Sequence, residues 1–420
     1  MCLFVKLYRI IRKLFKITIL QFIKTQFAVM LQRWSKIVLS VCTASLLLAA
    51  CGKKQSDDNP QTTTYSPSII IGSDNGVIYA YHPVTGAKNW ELGLPSSVYA
   101  SPLLYNEMLY VGTVKLPPFA GNCDTLYKIN ANTGVLIKKM TIAGATPFSI
   151  KATPIADGKL IYLATTNSNL YAIDTGSAAV SWTFTADGPL ESSPTIYNGQ
   201  VYFASTAGTI YCVDKATGLL TWSYAVGAPK SFTSSPSICP PFLYIGCSDS
   251  AVYSMYLTSP TSTGINKWIF KTGGAINSSP AAAAGKCIFG SNDFKVYCVD
   301  TSTGLKIWSD STNSNVNSSP VIYGQVVYIG SNDYHLYALN IINGGVKWKF
   351  ATNGLIKSSP LCYKGTIYIG SYDKHFYAID SVAGTMKWDN NVNGQMQCSP
   401  VLDDLSRKNN YNSQVSGYTN

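Results

Sequence analysis

Charge is scarce in this chain of 420 residues and arginine scarcer still: Lys, Arg, Asp and Glu together make up 13% of it, and beyond residue 50 the only arginine is Arg407. Recognition of phosphates and guanine edges leans on bidentate guanidinium groups and basic stripes, so nucleic acid is excluded as a partner. The formal charge of +11 does not reverse this, because it sits at the front. Residues 1–50 hold Lys6, Arg9, Arg12, Lys13, Lys16, Lys24, Arg33 and Lys36 with no acid, leaving 24 basic against 21 acidic residues, or +3, from Cys51 onward. Histidine is limited to three positions, and no two cysteines adjoin. No Gly-x-Ser-x-Gly elbow, phosphate loop, His-Glu-x-x-His or Cys-x-x-Cys pair occurs, so enzymatic chemistry has no visible carrier.

What is abundant is tyrosine, glycine and proline, at 28, 33 and 20 residues in a chain that is 46% hydrophobic. That excludes a disordered or all-helical chain and points to many short strands and turns.

The front reads as an address. From Met30 the sequence MLQRWSKIVLSVCTASLLLAAC places two basic residues, an apolar run and small residues before Cys51, the layout of a secretory signal. Ile37 to Ala50 is too short to span about 30 Å of hydrocarbon, which needs about 20 residues. Leu48-Ala49-Ala50-Cys51 resembles a bacterial lipobox, which implies cleavage before Cys51 and a lipid on its sulfur. Residues 1–50 are therefore expected to be a leader, with Met30 the expected true start. Residues 51–65 are read as lipidated Cys51 plus a polar tether, and residues 403–420 as a polar tail. Gly52 rather than Asp follows Cys51, and the resemblance to the lipoprotein sorting rule then implies the outer membrane.

Residues 66–402 are periodic. Pro154, Pro194, Pro236, Pro280, Pro320, Pro360 and Pro400 each follow Ser or Thr at spacings of 40, 42, 44, 40, 40 and 40 residues, and Pro102 precedes them by 52. Tyr79, Tyr127, Tyr171, Tyr211, Tyr253, Tyr297, Tyr337 and Tyr377 recur with them. Trp90, Trp182, Trp222, Trp268, Trp308, Trp348 and Trp388 fill seven of eight slots, and Lys138 holds the eighth. Between Tyr and Trp the pattern Asp-x-x-Thr-Gly marks a tight hairpin, since Asp caps backbone amides and Gly takes positive φ. Four short strands per 40 residues make a propeller blade, and the chain is expected to be all-β, an eight-bladed propeller of four-stranded antiparallel blades. A lone blade leaves both faces apolar, so the tryptophans are expected to pack blade on blade. The first unit lacks a Ser-Pro strand while Cys398-Ser399-Pro400-Val401-Leu402 is an orphan one. The C-terminal strand is therefore expected to close the ring as a clasp in the first blade.

Ser-Ser-Pro, Tyr-Ile-Gly-Ser, Tyr-Ala-(Leu/Ile)-Asp, Thr-Gly and Trp in this order resemble the pyrroloquinoline-quinone-type β-propeller repeat over residues 66–402. One branch of that family, the BamB-like one, implies a lipid-anchored envelope scaffold for outer-membrane protein assembly, with protein partners and no cofactor. The other implies a quinoprotein dehydrogenase holding the quinone with Ca²⁺, but with most units stripped to 40 residues little chain remains to enclose it. The leading expectation is a non-enzymatic interaction scaffold, with the dehydrogenase and an envelope glycan-binding module as alternatives.

His335 and His375 share one slot in consecutive units, about 10 to 15 Å apart on the scale of packed sheets rather than a 2 Å metal bond, and they are read, with His82, as turn residues. Ser291-Asn292-Asp293 and Ser331-Asn332-Asp333 lack the dense carboxylates of a calcium loop and are read as hairpin turns. No metal is expected. Cys239 with Cys247 and Cys287 with Cys298 are candidate disulfides across adjacent strands. The second unit is irregular, with eight extra residues within 113–124 and four between 140 and 153. Val114, Leu116, Pro117, Pro118 and Phe119 make its first insertion apolar, which marks them as candidate partner contacts, with a loop that covers the channel or packs against its own blade the equal alternative.

Overall fold

The computed structural model describes residues 65–114, 125–142, 147–227, 230–257 and 266–405. Every regular element among them is a β-strand, and thirty-two strands form eight four-stranded antiparallel sheets. Blade 1 spans residues 68–93 plus 401–403. Blades 2 to 8 span 103–140, 155–185, 195–225, 237–271, 281–311, 321–351 and 361–391.

Within a blade the strands follow a fixed division of labour. In blade 7 the inner strand Val321–Tyr323 is three residues long, and the second and third strands, Val326–Gly330 and His335–Asn340, are buried along almost their whole length. Their continuous burial, in place of alternation, follows from the sandwiching of each sheet between two others, which removes both faces from water. Only the outer strand, Val346–Ala351, keeps the alternating exposure of a half-buried strand. Third and outer strands meet in the Asp-capped hairpin: Asp300 Oδ1 accepts the N–H groups of Ser302 at 2.9 Å and Thr303 at 2.8 Å. His82 does the same work in blade 1, its Nδ1 facing the N–H of Val84 at 3.3 Å and Thr85 at 3.2 Å.

The tryptophans join one blade to the next through these hairpins. Trp348 Nε1 donates to Ser381 O at 3.1 Å, and Tyr328 OH donates to the same oxygen at 2.9 Å, so both lone pairs of one carbonyl in blade 8 are engaged from blade 7. Trp182 and Tyr162 share Lys215 O in the same way, and Trp268 and Tyr244 share Thr301 O. Trp90 and Trp308 bond Ala131 O and Ile341 O. Trp222 Nε1 has no partner among the described residues. Each docked indole leaves no room for a side chain beneath it: a Cβ on Gly384, at φ +69°, would lie 2.6 Å from the Trp348 ring.

The ring closes at blade 1. Trp388 and Tyr368 of blade 8 donate to Pro83 O at 3.0 and 2.9 Å. The C-terminal strand Val401–Asp403 pairs antiparallel with Ser68–Gly72, Ile70 opposite Val401 and Ser68 opposite Asp403. The expected clasp is therefore present.

The disulfide expectation is overturned, since Cys239, Cys247, Cys287 and Cys298 are all free thiols. The reason is the pleat. Ile288, not Cys287, stands opposite Cys298, so neighbouring Cys287 points to the other face of blade 6. Cys298 packs in the cluster shared with blade 7, and Cys287 in the one shared with blade 5. Cys239 and Cys247 are likewise divided between the two faces of blade 5.

Candidate functional site: the channel mouth and its rim

The inner strands surround an axis, and the Ser/Thr-Pro steps line it. Thr153 N–H donates to Ser193 Oγ at 3.0 Å, Ser193 to Ser235 at 3.0 Å, and Ser235 to Ser279 at 2.9 Å. The same link continues through Ser319, Ser359 and Ser399 to Ser101, at 2.9 to 3.0 Å. Proline cannot donate, so the serine before it supplies both the N–H and the hydroxyl of this belt. A cavity of about 30 Å³ lies against Thr153, Pro154, Ser193, Pro194, Ser235 and Pro236. It has room for ordered water.

Two residues ahead of each belt position, every blade connection presents one polar side chain at the channel mouth. Lys151 pairs with Glu191 at 2.8 Å. Thr233 Oγ1 donates to Asn277 Oδ1 at 3.0 Å, and Asn277 Nδ2 donates to Asn317 Oδ1 at 3.3 Å. Lys357 Nζ stands 4.9 Å over the Tyr372 ring, whose hydroxyl donates to Gln397 Oε1 at 2.8 Å. Burial and then the nearby Asp74 carboxylate push the Tyr372 hydroxyl above its usual range, so it serves as a donor at neutral pH. The mouth thus has an ionic arc, an amide arc and an aromatic arc, chemistry that binds and orients. None of these seven positions, nor Tyr99 as the eighth at the same offset, drew notice from the sequence, although a fixed offset from Ser-Pro defines them.

Val114 stands on the same face. It is buried at 4% exposure, and its N–H donates to Ser97 O at 2.8 Å, so it roots the blade 2 insertion. Leu116, Pro117, Pro118 and Phe119 lie outside the described residues, as does Cys51. His335 Nδ1 faces its own turn at Asp333 O, 2.8 Å away, and His375 Nδ1 faces Asp389 at 2.7 Å. The structure does not bring the two histidines onto a shared partner.

The acidic turns are occupied by the fold. Asp373 Oδ2 accepts Tyr377 OH at 2.9 Å and Asn353 N–H at 2.8 Å, and Asp293 Oδ2 accepts Tyr297 OH and Gly273 N–H, each at 2.7 Å. The buried Oδ1 atoms of Asn292, Asp293 and Asn332 lack a hydrogen-bond partner, yet among the described residues no three of His, Cys, Asp and Glu converge. That donor set does not fit a quinone-bound Ca²⁺, which takes six to eight oxygens.

A family model described as outer membrane protein assembly factor BamB matches residues 57–137, 124–259 and 258–395. The chain belongs to this BamB family. Its propeller is similar to BamB from Moraxella catarrhalis at 19% identity, covering 76% of this chain and 94% of that one with a TM-score of 0.61. A europium-containing methanol dehydrogenase matches at 11% identity over 72% of this chain and 79% of that one, TM-score 0.59. The quinohemoprotein alcohol dehydrogenase ADHIIG from Pseudomonas putida HK5 matches at 14% over 74% and 68%, TM-score 0.59. At these identities the structural likeness shows the propeller fold alone. No curated protein sequence matches the chain.

Proposed function

We propose that this member of the BamB family is a lipid-anchored, non-enzymatic scaffold of the bacterial envelope that contacts protein partners in outer-membrane protein assembly. The family match over residues 57–395 carries this reading. The arrangement supports it: polar groups of the hairpins and belt are bonded within the ring, and Val114 and Thr125, which flank the insertion of blade 2, stand on the face of the polar mouth. A rigid disc with one elaborated rim presents a contact surface at little entropic cost. An acylated Cys51 would raise the local concentration of that surface near membrane partners without a catalytic step.

The test is affinity capture of the lipidated protein from solubilised envelopes, with a chain lacking residues 114–122 as control. Recovery of barrel-assembly components by the intact chain, and their loss with the deletion, is expected. Copurification of a redox chain, or dye reduction after addition of the quinone and Ca²⁺, would replace this reading with the dehydrogenase.

A further inference from the structure

The two faces of the disc differ in kind. One, the mouth face, carries the turns between second and third strands and the connections between blades. The opposite face carries the turns between first and second strands and the Asp-capped hairpins between third and outer strands. Among the described residues nineteen large hydrophobic side chains are exposed. Sixteen lie on the hairpin face or at strand ends beside it, Ile269 lies within an outer strand, and only Phe294 and Tyr334 lie on the mouth face. Isolated exposed apolar residues need no explanation, but sixteen on one side of a disc do. The clearest run is one hairpin slot in three consecutive blades: Ile342 at 59%, Val382 at 86% and Val84 at 73% exposure.

The course of the chain indicates what covers this face. The second strand of blade 1 enters the ring at Ser68 on the hairpin face, and the clasp strand leaves it at Asp403 on the same side. Sixteen residues separate Cys51 from Ser68, at most about 60 Å of chain. Lys159, Lys286, Lys306 and Lys347 stand on this face with no ion-pair partner among the described residues. Aliphatic tips beside free ammonium groups suit an anionic phospholipid surface, where apolar burial and attraction to headgroups add.

We infer that the hairpin face, centred on Val84, Ile342 and Val382, rests on the anionic surface of the bilayer, which turns the channel mouth and the blade 2 insertion away from the membrane. This deepens the lipid-anchored reading and rests on it for the identity of the nearby surface. The ring closes within Ser68–Asp403, so an unlipidated chain starting at Gly52 keeps every strand. That chain is sedimented with phosphatidylethanolamine vesicles containing phosphatidylglycerol, beside the triple variant V84D/I342D/V382D and the mouth-face variant F294D/Y334D. The intact chain is expected to partition in a salt-dependent way, the triple variant to lose about tenfold or more of it, and the mouth-face variant to keep it. No partitioning of the intact chain, an unchanged triple variant, or an equal loss in the mouth-face variant overturns the inference. Thermal unfolding checks that the variants are folded, and V382D alone, at the most exposed of the three sites, replaces the triple if it is not. Acylation of Cys51 is read separately from the mass of the mature full chain, so loss of the anchor and failure of the docking face give different results.

Discussion

The ammonium of Lys138 lies 2.8 Å from the carbonyl oxygen of Ser177, in the place where blades 1, 3 and 5 to 8 set an indole on the hairpin of the next blade. Lys128, directly opposite Lys138 across the strands, donates to Thr175 O of the same hairpin at 2.9 Å. Two lysines thus fill the volume of a tryptophan and its small cross-strand partner. The hairpin they touch has changed with them: Ala178, at φ +65°, stands where Gly218, Gly304 and Gly384 stand in other blades. A Cβ is tolerated there because no ring lies over it.

This pairing is testable as a double-mutant cycle. K138W alone is expected to lower stability by about 1–3 kcal/mol through overpacking against the Ala178 Cβ, and K138W/A178G to recover most of the loss. Thermal or denaturant unfolding of the four chains reads the coupling, and additive effects would show that the two sites are independent.

The mirror experiment is G384A. Its Cβ would meet the Trp348 ring at 2.6 Å and 2.8 Å, so a loss of about 1–3 kcal/mol or more is expected. A178G relieves a positive φ but gives up the packing of Ala178 against the core between blades 2 and 3, so the two effects should nearly offset.

Removal of residues 396–420 takes away the clasp strand, the Ser399 to Ser101 link and the Cys398 Sγ donation to Gly72 O at 3.1 Å. Blade 1 is left with an open edge, and loss of cooperative unfolding is expected by calorimetry. A shorter deletion of residues 406–420 leaves all strands in place and should not change the transition.

Two carboxyl groups should act on pH stability with opposite signs. The hydroxyl of Ser302, then the Thr303 amide, holds Asp300 down at about 2. Its stabilising effect is present above the ordinary Asp value and is lost as pH falls through about 2. Asp403 in the clasp is raised, first by burial and then by the Asp404 and Glu107 charges. Its contribution is full below the ordinary Asp value and is lost as pH rises through its raised value. D403N should therefore raise the unfolding midpoint at pH 7 and flatten its change between mildly acidic and neutral pH, whereas D300N should weaken the fold at neutral pH.

Burial pushes the thiols of Cys212, Cys298, Cys362 and Cys398 up to about 12. Alkylation at pH 8 is expected to leave these four unmodified in the folded protein and to modify them in denaturant, as read by mass. Since Cys239, Cys247, Cys287 and Cys298 are unpaired, reductant should not move the unfolding midpoint.

The eight-bladed ring and its clasp were legible from the sequence, because a repeat must bury its faces against copies of itself and the count of Ser-Pro strands leaves one place for the last. The tryptophan slots and capped hairpins were legible for the same reason: they obey local spacing. Tertiary structure alone decided the rest. Cys287 and Cys298 looked paired along the chain, but the pleat sends adjacent side chains to opposite faces, a parity that depends on register. The mouth residues Lys151, Glu191, Asn277, Asn317, Lys357 and Gln397 follow no common residue type, and only closure of the ring brings positions about 40 residues apart into hydrogen-bond reach. The apolar hairpin face was hidden too, because each blade contributes one or two unremarkable aliphatic residues and their sum exists only on the assembled disc.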